Sequence, residues 1–261
     1  METPATASHR GILNPAAART RFTLSRHRPS PDLAFFVERH WIVSWDLRGR
    51  EPHLQQTLPH PCVNMVIEPD RARAWGVETT RSGQLLRGRG RALGTKFRVG
   101  AFRPFVDFDA AELTDRSIPI ADLFGGVPEP QIAAVEAFLR ERLPERDANV
   151  ALIAEMARAM LDDPSLTRVE DLVRRFGLSA RSLQRLFRRY VGVGPKWVLQ
   201  RYRLHEAAER IADGEGGDWA AFALELGYFD QAHFIKDFKA LVGRSPTEYA
   251  AICARVAAAA A

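Results

Sequence analysis

Apolar and polar positions alternate along HWIVSWDL (40–47), VNMVIEP (63–69), RARAWGV (71–77) and GTKFRVGAF (94–102), with Pro and Gly between them. That two-residue period is the mark of half-buried strands. Arg87, Arg89 and Arg91 alternate with glycines around a turn into a further strand. From residue 132 the period changes: IAAVEAFLRERL (132–143) and ANVALIAEMARAML (148–161) repeat their apolar residues every three to four positions, as helices do. The pattern predicts an α+β chain of two domains. An N-terminal antiparallel β-rich domain, a small barrel or jelly roll, is followed by two helices and then by an all-α domain.

In the all-α part the helical pattern occurs twice. In LVRRFGLSARSLQRLFRRYVGVGP (172–195) and FALELGYFDQAHFIKDFKALVGRSP (222–246), Leu183, Phe187, Gly192 and Pro195 stand 51 positions before Phe234, Phe238, Gly243 and Pro246. Gly177 and Gly227 are 50 apart, so the second copy holds one extra residue just after its glycine. Four positions sharing one period mark an internal repeat. In each copy a short apolar helix (Val169 to Phe176; Trp219 to Leu226) ends at a glycine, which accepts a positive φ at little cost. Ser179 or Asp230 then caps a second helix, which runs to Gly192 or Gly243 with a proline just beyond. Helix, tight turn and helix of this size form a helix-turn-helix unit. Ala223, four before the second glycine, lets the helices approach; the first copy has the bulkier Val173.

The faces of these helices carry the candidate chemistry. In the first copy Leu183, Leu186, Phe187 and Tyr190 fall on one side and are expected in the core. The opposite stripe is Arg181, Gln184, Arg185 and Arg188. Arg grips guanine O6 and N7 with two hydrogen bonds, and Gln does the same to adenine N6 and N7. Together with the cap Ser179 these four are the candidate DNA-binding residues of the first unit. In the second copy Phe234, Phe238 and Leu241 form the buried side, and Gln231, Ala232, Ile235, Lys236 and Lys239 the other. Ala232 and Ile235 suit a thymine methyl, and the lysines suit phosphate or guanine. His233 either bonds a phosphate or folds back over the helix start. Between the copies PKWVLQRYRLHEAAERIAD (195–213) reads as one amphipathic helix with Glu206 and Glu209 outward. About 16 helical residues span roughly 24 Å. Adding the width of the units approaches the distance of about 34 Å between successive major grooves on one face of DNA.

Charge supports an anionic partner. The net charge is +5, and from Arg174 to Arg203 there are nine Lys or Arg and no acid. Such a block faces either water or an anion. The two cysteines, Cys62 and Cys253, form no CxxC pair, which argues against a zinc finger. No run of about 18 apolar residues suggests a membrane span. The first 30 residues hold one acid, Glu2, and read as a basic leader. No P-loop, dinucleotide fingerprint or nucleophile elbow occurs. His53, His60 and Cys62 are the residues from which a metal site could be drawn, but further ligands are missing, and no metal or cofactor is expected. Trp41, Trp45, Trp75 and the Phe cluster at 102–108 are expected in the core.

Through SLQRLFRRYVGVGP, RYRLHEAAERI and above all ELGYFDQAHFIKDFKALVGRSPTEY, residues 163 to 250 resemble the DNA-binding domain of AraC/XylS-type bacterial transcription regulators. The resemblance implies two helix-turn-helix units on seven helices and promoter binding. It places the base-facing positions at Arg181, Gln184 and Arg185 and at Gln231, Ala232, Ile235 and Lys236. Val173 and Trp219 depart from the small residue and the Ile or Val usual at those places. RHWIVSWDL, LPHPCVNMVIEP and LGTKFRVGAFRPF resemble the N-terminal domains of a subgroup of the same family. That likeness implies a regulatory domain, with a small-molecule effector and dimerisation through the helices as its options.

The expected organisation is a basic leader over 1–20, a β-rich regulatory domain over 21–125, a helical connector with a dimerisation option over 126–162, the double helix-turn-helix over 163–250 and a tail over 251–261. The expected function is a cytoplasmic, sequence-specific regulator with promoter DNA and RNA polymerase as partners and no enzyme activity. Two competing readings are a non-specific architectural DNA binder and an enzyme fused to a DNA-binding module.

Overall fold

The computed structural model describes residues 20–258. The leader expected over 1–20 lies outside them but for its last residue, as do the last three alanines of the tail. Eight strands follow: β1 (Thr23–His27), β2 (Val37–Asp46), β3 (His53–Thr57), β4 (Asn64–Ile67), β5 (Ala72–Trp75), β6 (Ser82–Leu86), β7 (Arg89–Phe97) and β8 (Ser117–Pro119). Six form one antiparallel sheet in the order β1-β2-β7-β4-β5-β8, while β3 and β6 pair as a separate ribbon. With β1 and β8 at its edges the sheet stays open, so the domain is β-rich without closing as a barrel. The strand expected over 94–102 stops at Phe97. Beyond it Arg98 N donates to Phe36 O, and the chain turns at Gly100.

Alternation divides the sheet into two faces. On one face Ile42, Met65, Ile67 and Leu93 pack with Val135 and Leu139 of α2 (Ile132–Arg140), next to the short helix α1 (Ile120–Phe124). Phe102, 5.0 Å from the Phe97 ring, belongs to this core as expected. The other face differs from expectation. Trp41, Trp45 and Trp75 are only half-buried and line a cavity of about 380 Å³ between the sheet and the β3–β6 ribbon. Trp41 lies flat over Gly94 of β7, where a Cβ would stand 2.0 Å from its ring.

Seven helices complete the chain: α3 (Ala148–Asp162), α4 (Val169–Phe176), α5 (Ala180–Tyr190), α6 (Pro195–Ala212), α7 (Trp219–Glu225), α8 (Gln231–Val242) and α9 (Pro246–Ala258). They pack around two cores. Ile153 and Met156 of α3 meet Leu172, Leu183, Phe187 and Val198 in the first. Thus α3, read as connector on sequence, fills the first helix-turn-helix unit. Phe222, Ala223, Phe234, Phe238 and Tyr249 form the second with Leu204, Ala207 and Ile211 of α6. Helix α6 therefore serves both units.

The β-domain grips the helical domain at matching places. The hydroxyl of Thr114 donates to Gly192 O, just past α5, at 2.9 Å. Arg81 Nη1 donates to Val242 O, at the end of α8, at 2.8 Å. Gly192 and Gly243, equivalent in the repeat, both have positive φ (99° and 82°). A Cβ on Gly192 would stand 2.6 Å from Thr114 Oγ1, and one on Gly243 would collide with the Arg81 guanidinium. Between these grips Arg201 of α6 donates to Thr79 O at 2.8 Å, and His205 Nε2 lies 3.0 Å from Pro59 O.

Two predictions follow from this packing. Gly177→Ala meets only backbone strain, since its space is open, and should cost about 1–2 kcal/mol. Gly192→Ala meets the same kind of strain plus Thr114 Oγ1 and Ala110 O. It should cost about 1–3 kcal/mol more in thermal or denaturant unfolding; equal costs would show that the β-domain does not press on this turn. The second concerns His40, which is fully buried, with Nδ1 2.9 Å from Thr95 Oγ1 and Nε2 3.4 Å from Glu136 Oε1. Burial holds its imidazole below the usual 6.5, against the opposing pull of Glu136 and with a smaller contribution from His27. The unfolded chain takes up this proton more readily, so stability is full above pH 6.5 and falls as pH drops below it. The melting temperature should fall between pH 7 and pH 5, and His40→Gln should flatten that slope.

Candidate nucleic-acid interface

Helix α5 forms where a glycine turn meets a cap. Gly177 takes φ 65° and ends α4. Ser179 Oγ accepts from Ser182 N at 3.1 Å and starts α5. The Ser179 hydroxyl is thus engaged in the cap, and it also donates to Ser182 Oγ. Leu183, Phe187 and Tyr190 are buried, and Arg181, Arg185 and Arg188 are exposed on the far side. Gln184 is exposed at the flank of that stripe, with its amide beside Gly194.

The structure sorts the cationic block that sequence could only count. Arg174 pairs with Asp171, Arg175 with Asp163 at 2.7 Å, and Arg189 with Asp109 at 3.6 Å. Arg201 and Arg203 donate to the backbone carbonyls of Thr79 and Thr167. Among the described residues no ion pair or hydrogen bond occupies the guanidiniums of Arg181, Arg185 and Arg188. The unengaged arginines therefore share one face of one helix. A row of exposed cations on a rigid, capped helix is a surface for an anion with repeating charge.

Helix α8 repeats the architecture. Gly227 has φ 73°, and Asp230 Oδ1 accepts from His233 N at 2.7 Å to cap the helix. Phe234 and Phe238 are buried; Gln231, Ala232, Lys236 and Lys239 are exposed, and Ile235 is half-buried. His233 folds back: its ring lies 5.4 Å from Tyr228 and its Nε2 3.3 Å from Asp237 Oδ2.

Of the residues weighed for a metal, His60 and Cys62 line a common cavity, and His53 has other contacts. His53 contacts Gln55 and Phe22, His60 packs edge-on against His205 at 4.5 Å, and Cys62 is buried, which pushes its thiol up to about 11. Among the described residues no three His, Cys, Asp or Glu side chains stand together as a metal site, and no helix is long and apolar enough to cross a membrane. Sequence reasoning missed Thr79, Arg81 and Thr114, the grips on the helical domain. Their partners lie 122, 161 and 78 residues away, and no local signal marks them.

Comparison with known proteins agrees with this geometry. A family of helix-turn-helix domains matches residues 172–252, and a domain of unknown function (DUF6597) matches residues 25–119. An uncharacterized HTH-type transcriptional regulator of Haemophilus influenzae is 32% identical over 107 residues. The match spans 41% of this chain and only 34% of that protein. Among solved structures, ToxT from Vibrio cholerae covers 89% of this chain and 98% of its own at 10% identity, with a TM-score of 0.40. The unsaturated fatty acid bound form of ToxT covers 96% and 97% at 9% identity, with the same TM-score of 0.40. Over residues 172–252 the chain thus carries a helix-turn-helix domain and is similar to an HTH-type transcriptional regulator.

Proposed function

We propose that the chain is a cytoplasmic, sequence-specific DNA-binding regulator, without enzyme activity, that reads two successive major grooves of a promoter with α5 and α8. One observation carries this reading: the unengaged guanidiniums of Arg181, Arg185 and Arg188 stand on the solvent face of a capped helix whose other side is core. Arg181, Gln184 and Arg185 read base edges, Arg188 holds the backbone, and Lys236 and Lys239 anchor the second unit on phosphate. RNA polymerase and a second copy of the chain belong to this reading as partners, as promoter regulation requires them or profits from them.

The cavity between sheet and ribbon is the place for an effector. Its tryptophan floor offers flat apolar contact, Gln55, Asn64 and Gln84 offer neutral hydrogen-bonding groups, and charged side chains such as Arg39, Glu78 and Lys96 also line it. A mostly apolar concavity with a few convergent polar groups is the usual form of a small-molecule site.

Two substitutions separate sequence reading from mere charge attraction. Arg185→Ala should cost about 1–3 kcal/mol on the selected site and relax the preference at one base pair. Lys239→Ala should weaken binding evenly on selected and random DNA and lower the salt dependence by about one counterion. Binding titrations over a range of salt check both. If Arg185→Ala also loses affinity evenly on both DNAs, the protein binds DNA without reading it.

A further inference from the structure

The repeat is imperfect by one residue, and the structure shows which one. In the first unit Gly177 is followed by Leu178 and the cap Ser179; in the second Gly227 is followed by Tyr228, Phe229 and the cap Asp230. Leu178 packs on the first core. Tyr228 is buried in the second, its ring 5.4 Å from Phe234. Tyr228 thus fills the packing place, and both units already have their glycine turn and their cap. Phe229 is the surplus residue, and at 89% exposure it is the most exposed large hydrophobic side chain among the described residues.

Its position gives that exposure a use. Phe229 directly precedes the N-terminal end of α8, the end with which a recognition helix meets base edges. The first two turns of α8 carry no arginine, and the first cation is Lys236. Beside the exposed Gln231 and His233 they present Ala232, the half-buried Ile235 and, before them, Phe229. An apolar reading surface recognises the one apolar group in the major groove, the thymine C5-methyl. Further along α8, Lys236 and Lys239 are exposed and match the charge of the flanking phosphates.

We propose that Phe229 is a specificity-determining residue whose ring covers a thymine C5-methyl at the edge of the second sub-site. The two units then divide the work: the first reads purine edges with Arg and Gln, the second reads thymine methyls with apolar groups. This rests on the DNA-reading function proposed above.

The test uses the full-length protein. Bound fragments are selected from a random duplex pool, and the thymine adjoining the second sub-site is replaced by deoxyuridine, which lacks only the methyl. Wild-type affinity should fall about three- to fivefold, the effect of losing one buried methyl. Phe229→Ala should bind the thymine and uracil duplexes equally and lose the thymine preference in its own selection, while Phe229→Leu should keep part of it. Because the side chain is exposed, both variants should melt like the wild type. Equal binding of the two duplexes by the wild type, a motif without thymine at that edge, or an unchanged thymine preference in Phe229→Ala would each overturn the proposal; the last would turn the ring toward a protein partner. Selection of no motif at all would instead overturn the DNA-reading function itself, and this proposal with it.

Discussion

Two backbone carbonyls, those of Gly192 and Val242, fix how the halves of this molecule sit together. The last carbonyls of any helix lack partners within it; here the Arg81 guanidinium donates to Val242 O at the end of α8, and the Thr114 hydroxyl donates to Gly192 O just past the end of α5. The cation at the end of α8 also meets the negative pole of the helix dipole. Gly192 corresponds to Gly243 in the repeat, next to Val242, so the β-domain holds the corresponding helix end in both units, one residue apart in register. The separation of the two candidate reading helices is therefore set by a third body, not by α6 alone. That matters because two grooves can be read at once only if the helices keep one spacing.

The same contact explains the burial pattern of α6. A linker between two units would show one apolar face and one solvated face, yet α6 buries Arg201 and His205 against the β-domain. Desolvation draws the Arg201 guanidinium down to about 10, which still leaves it charged at neutral pH. It is held by Thr79 O and by the Trp197 ring 4.3 Å away. A buried cation is costly to strand, so the segment carrying Thr79 cannot leave α6 without stripping the Arg201 guanidinium of its hydrogen bond to Thr79 O. Thr79 is itself pinned, its N and Oγ1 both donating to the Asp115 carboxylate.

What could be read from the sequence follows from the range of the interactions. The helix-turn-helix units were legible because a glycine turn, a polar cap and an i, i+4 aromatic pair act within a dozen residues, as Gly227, Asp230, Phe234 and Phe238 show. Strands β2, β4 and β5 were legible by alternation. Ribbon strands β3 and β6 were not, since HLQQT and SGQLL have weak alternation and pair across 25 to 33 positions. The tryptophans misled for a related reason: an indole on a strand reads as core, and only the Gly94 partner across β2 and β7 shows that Trp41 lies flat as the floor of a cavity. Sequence could also count nine cations but not sort them. That sorting depends on Asp109, Asp163 and the carbonyls of Thr79 and Thr167, which reach the block from other elements.

The segment between β5 and β6 links the cavity to the grips. Trp75 and Ser82 at its ends line the cavity, while Thr79 and Arg81 between them hold α6 and the end of α8. A displacement of the cavity wall must therefore be absorbed within residues 76–81 or passed to the second unit, and close-packed interiors transmit such strain poorly damped. Energies point the same way. A net hydrogen bond is worth about 1 kcal/mol, somewhat more for a charged donor, and couplings between distant sites are typically about 1–3 kcal/mol. Loosening or tightening the Thr79 and Arg81 contacts alone covers that range. A molecule in the cavity shifts the equilibrium only by as much as it binds one arrangement of the wall better than the other. Trp41 and Trp45 lie over Gly94 and Gly90 of β7, whereas the segment 75–82 is tied to the helical domain. On the proposed function, an effector held against those two rings would act through that segment.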